Sequence, residues 1–146
     1  MVFAVIAKKI EAPAEKVWAL ANWKGCADLM PIPGQMEGVT FEGEGVGAHG
    51  IFHLDRERLG GGTIIEELVA IDERRRYYEY RLADNGLLPW TDYQGVIVVT
   101  PCGPDACAIK FSVDITPLEI SDEECRNIWV THALMDVARL KEKLGV

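Results

Sequence analysis

Near the C-terminal end, hydrophobic side chains occupy every second position. Ile109, Phe111, Val113 and Ile115 alternate with Lys110, Ser112 and Asp114. A period of two predicts a strand with one buried face, here over 106–116. In TDYQGVIVVT the same rule sets Tyr93, Gly95, Ile97 and Val99 against Asp92, Gln94, Val96 and Val98. In RRRYYEYRL it sets Tyr78, Tyr80 and Leu82 against Tyr77, Glu79 and Arg81, whose charges suit a solvated face. Further strands are predicted over 2–10, 36–43, 48–56, 62–71, 75–83 and 92–101. In TIIEELVAI the pattern does not choose a face. Glu66 shares parity with Ile64, Leu68 and Ala70, and Glu67 with Ile65, Val69 and Ile71.

The period changes to 3.6 in two places. After Pro13, which suits a first helical turn, Val17, Trp18, Leu20 and Ala21 form an apolar stripe, and a short helical piece follows from Lys24 to Met30. Ser121 and Glu124 then form a capping box that opens a long helix ending near Leu144, with Gly145 beyond it. One side of that helix carries Val130, Ala133, Val137, Leu140 and Leu144, with Trp129 and Leu134 at its edges. His132, Asp136, Arg139 and Lys143 form a polar side. Ile128 and Met135 lie beside the apolar face and are candidates for a partner surface.

The order is strand, two short helices, six strands, long helix. It predicts an α+β domain: a seven-stranded antiparallel sheet whose first strand pairs with its last and curls around the terminal helix. The joints GEGVG, RLGGG, IDERR, DNGLLPW and CGPDA are turn-forming. Gly45, Gly47 and Gly50 have GxGxxG spacing, but the strand-like IFHLD follows where a dinucleotide site needs a helix, and Glu42 and Glu44 would repel phosphate. LGGGT lacks the Lys-Ser/Thr ending of a P-loop.

With 146 residues and no linker or repeat, a single domain over 1–146 is expected. The net charge of -8 argues against a nucleic-acid partner, so the arginines at 74–76 are read as keeping a wall's outside soluble. MVFAVIAKKI has neither the charge order of a signal peptide nor the length of a membrane span, so a cytoplasmic protein is expected. Four cysteines without a CxxC pair are expected to be free thiols, including Cys102 and Cys107 on either side of one turn. His49 and His53 would stand roughly 13 Å apart along one strand, too far for one zinc ion. His132 is read as a surface hydrogen-bonding residue. Neither a metal nor a cofactor is expected.

The stretches IEAPAEKVWALANW, FEGEGVGAHGIFHL, GGTIIEELVAIDERRRYYEYRL, WTDY and IKFSVDITP, in this order and spacing, resemble the SRPBCC superfamily, also called START-like or Bet v 1-like. Within it they resemble the bacterial polyketide cyclase/dehydrase-like branch. The resemblance spans Ile10 to Leu144. It implies a helix-grip fold, with the curved sheet wrapped around the C-terminal helix and a deep, mostly apolar cavity between them. Two departures stand out. Family members often carry an arginine near the position of Gly50, and a tryptophan before the proline of the second helix, where this chain has Leu29 and Met30.

The resemblance favours Glu66 over Glu67 as the inward carboxylate, and a pocket over plain core for the inward tyrosines. The ligand-binding residues expected on the sheet are Glu66, Tyr78, Tyr80, Tyr93 and Phe111, with Trp90 as either a gate or a core residue. On the helix they are Trp129, Ala133 and Val137. The expected function is binding of a small hydrophobic molecule of lipid, polyketide or aromatic type. The alternative is a cyclase/dehydratase-like enzyme in which Glu66 moves a proton and Tyr78, Tyr80 or Tyr93 polarises an oxygen, with Glu66 and Tyr80 as catalytic candidates. Homodimerisation is left open.

Overall fold

The computed structural model describes residues 1–146. Seven strands form one antiparallel sheet: β1 (Val2–Ile10), β2 (Met36–Glu42), β3 (His49–Leu54), β4 (Thr63–Asp72), β5 (Tyr77–Asp84), β6 (Trp90–Pro101) and β7 (Cys107–Pro117). Their order across the sheet is β1-β7-β6-β5-β4-β3-β2. The first strand therefore pairs with the last, Ile6 opposite Phe111, and β1 and β2 form the two edges. Every other neighbour in the sheet is also a neighbour in sequence, as expected when short polar turns join half-buried strands.

Three helices accompany the sheet: α1 (Ala14–Ala21), α2 (Arg56–Leu59) and the long α3 (Asp122–Leu144), with a 3₁₀ turn over Gly25–Leu29. Helix α2 replaces the end of the strand expected over 48–56. The Asp55 carboxylate accepts the Arg58 N–H at 2.8 Å and starts a helical turn, which Gly60 ends at φ 79°. The strand expected from residue 92 begins instead at Trp90.

Helix α3 starts where Ser121 Oγ accepts the Glu124 N–H at 3.1 Å and ends on Gly145 in the left-handed region. Only the serine half of the expected capping box forms. Ser121→Ala should therefore cost about 1 kcal/mol of stability, read as a lower urea midpoint at unchanged slope.

The core lies between the concave face of the sheet and helices α1 and α3. It joins Val2, Ala4, Ile6 and Ile10 of β1 and Val17 and Trp18 of α1 to the alternate residues of β7 and to Cys125, Trp129, Ala133, Val137 and Leu140 of α3. On β7 the predicted alternation holds throughout, with Ile109, Phe111, Val113 and Ile115 all buried. Trp18 buries its ring and donates Nε1–H to Glu73 at 2.7 Å, which ties α1 to the β4–β5 turn.

Two β-bulges alter which side chains reach this interior. Between Leu68 and Ala70 the register slips, so Leu68 faces Tyr80 across the ladder and Ile71 faces Tyr78. Parity in β4 therefore switches at Val69. Ile71, not Ala70, packs on the core. The second bulge lies between Thr91 and Gln94, where Asp92 takes φ 49°. One extra residue there puts Trp90 and Tyr93 on the same side of β6, three positions apart instead of two or four.

Candidate functional site

A cavity of about 270 Å³ opens between the middle strands and α3. Of its 28 lining residues 22 are hydrophobic, so the body of any occupant must be largely apolar. The exposed lining residues Gln35, His132 and Met135 mark its mouth, between the segment after the 3₁₀ turn and the middle of α3.

Strand alternation and the second bulge build one wall as a row of aromatic rings. Tyr78 and Tyr80 stand 5.7 Å apart, Tyr80 and Tyr93 5.5 Å, and Tyr93 stacks on Trp90 at 6.2 Å. Trp90 is 2% exposed and packs as part of the wall, as the core alternative expects. The Tyr80 and Tyr93 hydroxyls lie 2.9 Å apart, and Trp129 Nε1 of α3 donates to Tyr93 Oη at 3.0 Å. This chain of bonds crosses from sheet to helix and fixes both phenols. Burial pushes the Tyr78, Tyr80 and Tyr93 hydroxyls well above the usual phenol range, so all three are protonated donors at neutral pH.

Gly95 explains how Tyr80 lies there. It faces Tyr80 in the β5–β6 register, and a Cβ at this position would sit 2.5 Å from Tyr80 Cζ. The space that the missing side chain leaves is filled by the tyrosine ring, not by a ligand. Gly50 has a parallel role, because a Cβ there would meet Trp23 at 3.2 Å. The indole of Trp23 thus covers the position where the resemblance led one to look for an arginine.

The structure separates the two glutamates. Glu67 is outside, bound to Arg81 at 2.5 Å and to His49 at 3.4 Å, and these partners hold its carboxyl below the usual range. Glu66 lines the cavity and makes neither a hydrogen bond nor an ion pair with any side chain. Burial, reinforced by Asp136, pushes its carboxyl up to about 8, so it is mostly protonated at neutral pH.

Asp136 faces the same space from α3 and accepts from Arg139 Nη2 at 2.6 Å. Burial raises its carboxyl despite the guanidinium beside it. Cys26 also lines the cavity, its thiol donating to the Trp23 carbonyl at 3.2 Å and pushed by burial, Glu66 and Asp136 up to about 12.

Most residues singled out in the sequence come together here: Glu66, Tyr78, Tyr80, Trp90, Tyr93, Phe111, Trp129 and Ala133 all line the cavity. Val137 does not. It is 4% exposed but packs in the core beside the cavity. His132 is exposed, as expected, but makes no side-chain hydrogen bond; with Asp136 and Arg139 of the polar side it borders the cavity. Not expected at the site were Cys26, Leu29 and Met30, brought to the cavity by the 3₁₀ turn and the chain just after it, and Met36 at the start of β2. No periodicity marks such a segment.

His49 and His53 have separate partners, Glu67 and Thr40, and no cluster of three or more His, Cys, Asp or Glu side chains is arranged to hold a metal ion. All four cysteines are free thiols, and no helix is long and apolar enough to cross a membrane.

A curved antiparallel sheet closed by a long C-terminal helix over a lined cavity defines a helix-grip protein of Bet v 1-like architecture. The chain belongs to the family described as polyketide cyclase/dehydrase and lipid transport, whose model matches residues 3–143.

Solved structures agree with this assignment. The protein XoxI from Bacillus cereus is 26% identical, with 98% of this chain and 95% of that one covered at a TM-score of 0.79. Norcoclaurine synthase from Thalictrum flavum, solved with dopamine and hydroxybenzaldehyde, is 26% identical over 99% of this chain and 88% of that one, at a TM-score of 0.66. A protein from Bacillus thuringiensis, 24% identical over 97% and 98% with a TM-score of 0.79, shares the fold. Comparison with curated proteins finds no match.

Proposed function

We propose that this protein binds one small, largely apolar, ring-containing molecule in the cavity between the sheet and α3. The observation that carries this reading is the pairing of a mostly hydrophobic lining with a small polar cluster, Glu66 beside the Tyr80–Tyr93–Trp129 chain. An apolar body gains from leaving water, and a few fixed polar atoms set its orientation. The volume of about 270 Å³ lies just below the ~300–1,000 Å³ of drug-sized sites, which suits one or two rings. Norcoclaurine synthase, with two single-ring compounds bound in a related fold, supports the same size class. Glu66, Tyr78, Tyr80, Trp90, Tyr93, Phe111, Trp129 and Ala133 are the contacts proposed.

Titration with one- and two-ring ketones and phenols, followed by tryptophan fluorescence, tests this. Trp90 and Trp129 in the lining should give a saturable one-to-one change, with Kd of roughly tens to hundreds of micromolar for about ten heavy atoms. Tyr80→Phe should weaken binding several-fold by removing one hydroxyl of the polar cluster. A linear, unsaturable signal for every compound would remove the binding reading.

A second reading, catalysis of the cyclase/dehydratase kind, is favoured by one specific feature. A carboxyl titrating near 8 beside two phenols can take up and release a proton around neutral pH. In that case Glu66→Gln abolishes turnover while affinity is retained. Under plain binding the same change leaves no reaction to lose.

A further inference from the structure

We propose that the polar group of the ligand is a protonated amine, with Glu66 as its counter-ion and the aromatic wall as its cage; this rests on the binding reading above and narrows it. Glu66 is half-buried, lines the cavity and has no side-chain partner, while the adjacent Glu67 has two. Across the cavity Asp136 adds a second carboxyl, and the only guanidinium at the wall, Arg139, is already bound to it. Asp136 and Arg139 answer each other, so when Glu66 ionises no unpaired guanidinium or ammonium group of the wall is left to face it. The rings of Tyr78, Tyr80, Tyr93 and Trp90 follow one another at 5.5–6.2 Å along the same wall. Aromatic faces beside a carboxylate attract an ammonium group, and strongly so out of water. A metal ion fits less well, because no third ligating side chain joins the two acids.

The pairing carries its own proton balance. Empty, the cavity holds Glu66 as the neutral acid. When an ammonium ion enters, the carboxyl gives up its proton to solvent and the ion pair forms. Affinity for an amine should then rise with pH toward 8, tenfold per unit at most. A ketone, which needs the Glu66 O–H as donor, should bind equally at pH 6 and 7 and more weakly above 8. The other groups facing Glu66 are Cys26, the tyrosines, and Asp136 with Arg139 and His132 on α3.

The test uses 3-phenylpropylamine, 3-phenylpropan-1-ol and 4-phenylbutan-2-one as probes, by calorimetry at pH 6, 7 and 8 in two buffers of different ionisation enthalpy. The expected result is at least tenfold tighter amine binding at pH 8 than at pH 6, with close to one proton released at pH 7 and alcohol affinity unchanged. Glu66→Gln should remove most of that slope and weaken the amine at pH 8 at least tenfold, leaving the alcohol as before. A slope that survives Glu66→Gln overturns the assignment to Glu66. Alcohol or ketone binding as tight as the amine at pH 8 overturns the amine proposal and leaves the cavity reading standing. Failure of all three probes to bind overturns both.

Discussion

Glu66→Gln is expected to stabilise the protein by only about 1 kcal/mol or less near pH 5 and by roughly 3–5 kcal/mol at pH 9. Its carboxyl titrates near 4.5 when unfolded and near 8 when folded, so the folded state holds the proton more tightly. That contribution is fully present below about 4.5 and is lost as pH rises toward 8 and beyond. Glutamine has the shape of the neutral acid and cannot ionise, so the loss disappears. Asp136, also raised by burial, acts in the same direction from a lower starting pH, and Glu67, held low by Arg81 and His49, acts in the opposite one. Both residues remain in the variant, so the difference between the two proteins reports Glu66 together with its coupling to Asp136. Urea unfolding of both at pH 5, 7 and 9 measures it. Parallel profiles would place Glu66 in water.

Gly95→Ala is the second change with a large effect. The new methyl would lie 2.5 Å from Tyr80 Cζ and 2.7 Å from its hydroxyl oxygen, so the ring must move. Overpacking of this kind costs about 1–3 kcal/mol. Displacing Tyr80 also breaks its 2.9 Å contact with Tyr93, so ligand affinity should fall with stability. In a Tyr80→Ala background the same methyl meets no ring. There Gly95→Ala should be neutral or stabilise by up to about 1 kcal/mol, since alanine is stiffer than glycine in the unfolded chain. A reversal of sign between the two backgrounds identifies the ring as the cause. Equal costs in both would locate the strain elsewhere.

The architecture was legible in the sequence because its signals are periodic. The strict alternation of β7 and the tyrosine pairing of β5 appear in the structure where they were read, and α3 lies where expected, though its buried stripe runs through Cys125, Trp129, Ala133, Val137 and Leu140 and leaves Leu134 exposed. Deviations arise where the period breaks. The bulge at Val69 exchanged Ala70 for Ile71, and the bulge at residues 91–93 turned Trp90 from a loop residue into the neighbour of Tyr93. A single inserted residue has no signature in the pattern of polar and apolar positions.

The helical wheel failed in a different way. It separates polar from apolar, but a cavity with carboxyls in it is partly polar, so a polar side of the helix does not reveal that Asp136 and Arg139 border it. Val137 shows the converse, an inward residue beside the cavity and not on it. Parity could not choose between Glu66 and Glu67; the resemblance favoured Glu66, and the partners across the sheet, Arg81 and His49, hold Glu67 on the other face.

Carbon-13 NMR of the glutamate side-chain carboxyls, with Glu66 assigned by its loss in Glu66→Gln, tests the account most directly. Titrated from pH 4 to 10, the Glu66 carboxyl carbon should change shift with a midpoint near 8, far from the other glutamates. A midpoint between 4 and 5 would mean the side chain stands in water, and the cavity with its neutral acid would not describe this protein.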